Sequence, residues 1–264
     1  MKVKVVSLVL ILFIISAFAG SQLSAFSEPV LPAAAAPAAT DPATGLSKAE
    51  LAEARFQELW TSIEWGKNEK PAYEVFRKGM VGYLNLSRQN KLNNTGILTL
   101  IDFSLSSQKK RMWILDLKKQ KLLFHELVAH GKNSGGDMAN AFSNTPNSNQ
   151  SSLGFYVTQE TYIGKYGLSL RLAGQEKGFN DLARARAIVL HGADYVNESI
   201  GKNLGRLGRS FGCPAVRREV SEAVVKTLAS GTCMFIYHPS KDYLAQSKLL
   251  LEEGALDVLL AGTI

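Results

Sequence analysis

Apolar and polar positions change rhythm several times along the chain, and each rhythm predicts a different element. From Val5 to Gly20 the chain is almost wholly apolar, broken only by Ser7 and Ser16. That run is short for a membrane span, which takes about 20 residues. Residues 28 to 45, EPVLPAAAAPAATDPATG, carry Pro29, Pro32, Pro37 and Pro42 among alanines. Proline at this density blocks helices and sheet ladders, so an extended tether is expected. A helical period begins at Ser47, where Ser-x-x-Glu forms a capping box ahead of Leu51, Ala54, Leu59 and Ile63, predicting a helix over 47–64. Pro71 opens a second helical stretch with Tyr73, Phe76, Met80 and Leu84 on one face.

Beyond Asn93 the apolar runs shorten to strand length. Runs at 97–105, 111–117 and 121–130 read as strands, the last two joined through Lys118-Lys119-Gln120 as a hairpin. Residues 131 to 153 are rich in Gly, Ser and Asn and too long for a turn, so they are expected to be either mobile or functional, the functional reading being a mobile lid. Further strands are expected at 154–159, 168–173, 186–191 and 232–238, with a helix at about 218–229. In the tail, Leu244, Leu251, Ala255 and Val258 fall on the spacing of one helix face, with Gly254 as a weak point. Helices first, then many strands, is an α+β arrangement rather than alternating βαβ. The expected layout is a signal peptide (1–19), a Pro/Ala-rich linker (20–46), a helical N-terminal segment (47–93), a strand-rich domain (94–240) and a helical tail (241–264).

Composition narrows the class. The 264 residues are 46% apolar with 30 Lys+Arg, 23 Asp+Glu and two cysteines. That supports one good-sized core and excludes disordered, collagenous, disulfide-dense and multi-span chains. The basic start (Lys2, Lys4), apolar middle and small residues Ala17 and Ala19 have the layout of a secretory signal. Removing residues 1–19 takes away two lysines and no acid, lowering the net charge from +7 to +5. The protein is therefore expected to be exported to the periplasm or cell envelope, tethered there if the apolar segment stays uncleaved. It is expected to have no integral membrane domain after signal removal; the oligomeric state stays open.

Few residues can do chemistry. His125 and His130 lie five apart on an expected strand and so on opposite faces, which argues against a shared metal. His238 ends a strand before Pro239. His130 opens the long loop and is a substrate-binding candidate. His191 closes the buried run Ala187-Ile188-Val189-Leu190 just before Gly192, a place where a strand presents a residue to a loop. Cys213 lies in Ser210-Phe211-Gly212-Cys213-Pro214, and Cys233 starts the apolar run Met234-Phe235-Ile236-Tyr237. A disulfide between them and a free, reactive Cys213 are both open readings. Between 184 and 218 seven basic residues, among them Arg206, Arg209 and Arg217, face two acids, Asp194 and Glu198. In an exported protein this stripe points to anionic stems, sugars or headgroups rather than nucleic acid.

These residues resemble the murein L,D-transpeptidase catalytic domain family of YkuD type, in a divergent branch. The matching motifs are His191-Gly192 upstream of Ser210-Phe211-Gly212-Cys213. Gly231-Thr232 resembles the family's Gly-Thr-Pro ending, and Thr145-Pro146 with Gly154-Phe155 looks like a stretched Thr-Pro-x-Gly-x-Phe. The likeness covers about residues 95 to 240. It implies a mixed β-sandwich and a thiolate mechanism without metal or cofactor. Cys213 would attack a tetrapeptide stem of peptidoglycan, release D-alanine and pass the acyl group to an amine. His191 would act as base, held by a carbonyl near Gly192, with N–H groups around Gly212 and Cys213 as oxyanion donors and Ser210 in the motif. Phe211, Arg206, Arg209, Arg217 and His130 would handle substrate. Phe211 stands where many members have a second histidine, and Pro214-Ala215-Val216 separates the cysteine from Arg217. Two other readings are an L,D-carboxypeptidase or cross-link hydrolase using the same pair, and a non-catalytic wall-binding module. A papain-like protease is disfavoured, because there the cysteine precedes its histidine.

Overall fold

A computed structural model describes residues 45–262. The expected signal peptide and nearly all of the expected linker lie outside the described residues. Helix α1 (Lys48–Ser62) starts at the capping box, with Ser47 and Glu50 bonded reciprocally. Helix α2 (Tyr73–Arg88) buries Val75, Phe76, Met80 and Leu84 and lies across the sheet. Two glycines let it approach: a Cβ on Gly79 would meet Leu100 at 2.3 Å, and one on Gly82 would meet Phe155 at 2.0 Å.

Nine strands follow: β1 (Ile97–Asp102), β2 (Met112–Asp116), β3 (Lys121–Glu126), β4 (Val128–Ala129), β5 (Gly154–Gly164), β6 (Gly167–Gly174), β7 (Val189–Ala193), β8 (Ala215–Arg217) and β9 (Cys233–Tyr237). Their order is β3-β2-β1-β9-β5-β6-β7-β8-β4. The pairs β1–β9 and β7–β8 are parallel and the others antiparallel, so the expected mixed α+β architecture is present. Strands β3 and β4 stand at opposite ends of that order, yet only Leu127 separates them in sequence. The two edges must therefore lie together, and the sheet curls nearly into a barrel. The expected single strand over 121–130 is thus two: β3 pairs with β2 and β4 with β8. The interior is filled by β9 and its neighbours, with Phe155 and Phe235 stacked at 4.2 Å.

Helix α3 (Glu198–Leu204) has no counterpart among the elements expected from sequence. Asn197 caps its start, and Gly205, with φ of 65°, ends it. Helix α4 (Arg218–Leu228) stands where a helix was expected. The tail is not one helix. It runs as α5 (Lys241–Gln246), a 3-10 turn (Lys248–Leu250) and α6 (Glu253–Leu260). The breaks change which residues face inward: Tyr243, Leu249, Ala255, Leu256 and Leu259 are buried, whereas Leu251 is 63% exposed. No helix among the described residues is long and apolar enough to cross a membrane.

Candidate active site

The parallel pairing of β7 with β8 brings the two motifs together. His191 pairs with Ala215, and its N–H approaches the Pro214 carbonyl at 3.4 Å. In the same register Val189 lies beside Cys213, and Val189 and His191 share one face of β7, since alternate residues do. The Val189 N–H donates to Cys213 Sγ at 3.5 Å, and Sγ lies 3.8 Å from the Ala187 carbonyl. His191 and Cys213 line one cavity of about 190 Å³ together with Tyr162, Tyr166, Tyr195 and Phe211. His191 is central in β7 rather than at its end, because the ladder with β8 extends through Ala193.

His191 is buried, and its Nδ1 lies 3.0 Å from the Gly192 carbonyl. That contact places the proton on Nδ1 and leaves Nε2 as the acceptor. Burial lowers the imidazole's pKa, with the Gly192 carbonyl pulling the other way. The Tyr166 ring, in the two-residue turn between β5 and β6, stacks on the imidazole at 4.5 Å. Arg218 holds that turn, donating to the Tyr166 carbonyl while pairing with Asp194. Gly192 has no room for a side chain, since a Cβ would meet Ser221 Oγ at 2.4 Å.

The turn carrying Cys213 is fixed from three sides. Ser210 Oγ donates to the Cys213 carbonyl at 2.6 Å and accepts the Gly212 N–H at 3.0 Å. Ser210 N–H donates to the His130 carbonyl, and Lys132 N–H to the Ser210 carbonyl. Ser151 Oγ donates to the Gly212 carbonyl at 3.1 Å. Gly212 sits at φ of 124°, where a side chain is strained. Its N–H is therefore occupied by Ser210, contrary to the expectation that it faces an oxyanion. The Cys213 N–H makes no hydrogen bond among the described residues.

Both cysteines are free, which removes the disulfide reading, and Cys233 is fully buried in β9. Cys213 is half-buried. Burial raises its thiol pKa, opposed by the Val189 N–H and by the Arg186 guanidinium. Burial thus disfavours the charged form of both the thiol and the imidazole. Arg186, counted in the basic stripe but not singled out from sequence, also donates to the Ser143 and Gln150 carbonyls, tying loop 131–153 to the cysteine turn. Further bonds staple that loop internally, such as Asn133 N–H to the Asn149 carbonyl and Ser143 N–H to the Ser151 carbonyl. The expected free lid is therefore a bonded shoulder of the site.

Several expected substrate residues stand elsewhere. His130 is 1% exposed, inside the fold, where Arg111 donates to its Nδ1 at 2.8 Å. Burial first, then Arg111, push its pKa down to about 4. Arg217 makes a bidentate pair with Glu126 at 2.8–2.9 Å, so its fork is already filled. Arg206 donates to the Leu207 carbonyl and does not line the cavity. Arg209 lines it but gives Nη1 to the Lys132 and Gly135 carbonyls. Phe211 is 67% exposed at the rim, with Lys132 Nζ 4.6 Å over its ring. No group of three or more metal-ligating side chains exists among the described residues.

A model of the L,D-transpeptidase catalytic domain matches residues 67–237. Among solved structures, an L,D-transpeptidase from Mycobacterium smegmatis is 11% identical, the match covering 54% of this chain and 59% of that one at a TM-score of 0.34. An L,D-transpeptidase from Xylanimonas cellulosilytica is 13% identical, covering 80% of this chain and 100% of that one at a TM-score of 0.31. The chain spans less than two thirds of the length of the first of these. No curated protein matches.

Proposed function

Because the chain belongs to the L,D-transpeptidase catalytic domain family, we propose that it is an exported, cysteine-dependent acyltransferase acting on peptidoglycan stem peptides. The observation that carries this reading is the placing of Cys213 and His191 in one cavity by the β7–β8 register. In the first half-reaction Cys213 Sγ bonds to the carbonyl between the third and fourth residues of a tetrapeptide stem. His191 Nε2 takes the thiol proton and returns it to the leaving amine, so that the C–N bond breaks and D-alanine departs. Burial disfavours the charged form of each group, which favours proton transfer concerted with attack.

The tetrahedral oxyanion has the unoccupied Cys213 N–H as its donor, held in place by the Ser210 turn. In the second half-reaction an acceptor amine attacks the thioester, His191 takes its proton, and the proton returns to sulfur. The tyrosines around the thioester and Phe211 at the rim shape the acceptor side. Carboxyl-terminal trimming by water uses the same pair and differs only in the acceptor.

The test is incubation of the domain with a disaccharide-tetrapeptide and mass analysis of products. The expected result is a cross-linked dimer with loss of D-alanine. Tripeptide alone assigns a carboxypeptidase, and unchanged substrate overturns the catalytic reading in favour of a wall-binding module.

A further inference from the structure

A cavity of about 350 Å³, larger than the one at Cys213, lies where the end of α2, the turn after β6 and the C-terminal tail meet. One wall is built by residues beyond 237, where the family match ends, so the tail adds something to the catalytic domain. The buried Glu176 carboxylate fixes this wall. It accepts the Phe155 N–H at 2.8 Å and the Tyr243 hydroxyl at 3.0 Å, and Ser247 donates to its other oxygen. Glu176 is thereby saturated, and it holds the tail against β5.

Apart from Gln175, whose Nε2 donates to the Ala173 carbonyl, the exposed polar groups around the opening are not saturated. Gln89 and Gln246 are exposed, and their carboxamides make no hydrogen bond among the described residues. Lys177 and Lys248 are exposed and take part in no ion pair there. Phe179 lines the same cavity and packs edge-to-face on Tyr243 at 5.2 Å. Two carboxamides offer both donors and acceptors, which suits hydroxyl and acetamido groups; an aromatic ring suits the apolar face of a sugar; two ammonium groups suit appended carboxylates. A polyphosphate chain would use the two ammonium groups and leave the carboxamides and the ring without a role.

We infer that this cavity is a second, non-catalytic site that binds an N-acetylated amino-sugar glycan strand and holds the chain on the polymer whose stems reach Cys213. The choice of polymer rests on the proposed function; the cavity and its chemistry do not.

The experiment uses the chain carrying Cys213→Ala, with two probes: peptidoglycan glycan freed of its stems, and a soluble N-acetylglucosamine tetrasaccharide. Binding to both is expected. Gln89→Ala and Gln246→Ala remove exposed, unbonded side chains, so the fold is kept, as circular dichroism would verify. Each is expected to weaken glycan binding about fivefold, the loss of about one neutral hydrogen bond. In the background that keeps Cys213, both variants are expected to process a soluble disaccharide-tetrapeptide at the parent rate. Absence of glycan binding, binding indifferent to both variants, or capture only by a phosphate-bearing wall polymer would overturn the inference. Failure of the Cys213 chemistry shows separately, as lost turnover of the soluble substrate with glycan binding intact.

Discussion

At the scale of single residues, opposing influences on one thiol decide the chemistry. Burial wins over the Val189 N–H and Arg186 at Cys213. Alkylation by iodoacetamide should therefore rise with pH through an apparent pKa above that of an ordinary cysteine. Arg186→Met removes a charge that favours the thiolate and should move the inflection higher still. An inflection that stays put in the variant would show that Arg186 only ties the loop. His130 titrates in the opposite sense. Its folded pKa, about 4, lies below the unfolded value near 6.5. Between those values the unfolded chain binds a proton that the folded chain does not, so stability is full above about pH 6.5 and falls as the pH drops toward 4. The shift is worth about 3 kcal/mol. His130→Gln keeps an acceptor for Arg111, so its urea-unfolding stability should fall less than the parent's between pH 7 and 4.5. Equal falls would place the acid sensitivity at the other buried histidines.

Among elements, what could be read from sequence depended on range. The capping box of α1, the apolar face of α2 and the β2–β3 hairpin are local patterns, and the chain obeys them. The split of 121–130 was hidden, because β4 leaves β2 for β8, a partner about ninety residues away. Charge balance is long-range for the same reason: Arg184 and Arg217, in the basic stripe over 184–218, pair with Glu160 and Glu126, which lie outside it in sequence. His191 and Cys213 were legible as motifs, but the role of Ser210 as holder of the turn and the engagement of Gly212 required the folded loop. Packing between elements gives its own prediction. Gly82→Val places methyl groups where Phe155 stands, so it should destabilise the fold by about 1–3 kcal/mol and lower the melting temperature. An unchanged melting temperature would mean that α2 shifts freely on the sheet.

Across the whole molecule, a nearly closed sheet brings two distant motifs to one cavity, while helices α1, α2 and α6 pack together and the tail meets the far end of α2. Ion pairs of Arg77 with Glu53 and Glu252, and of Lys48 with Asp257, join the first two helices to the last. The sheet-bound site and the tail-built cavity are lined by different residues, so the proposed catalysis and the proposed attachment can be tested separately. The central claim is that Cys213 carries the acyl group and His191 moves its proton. It is tested most directly by intact-protein mass after brief exposure to a tetrapeptide stem without acceptor. The parent chain should gain the mass of one tripeptide acyl group, mapped to Cys213. Cys213→Ala should gain none, and His191→Ala should gain it about a hundredfold more slowly or worse. An adduct on Cys213→Ala, or acylation of His191→Ala at the parent rate, would contradict the account.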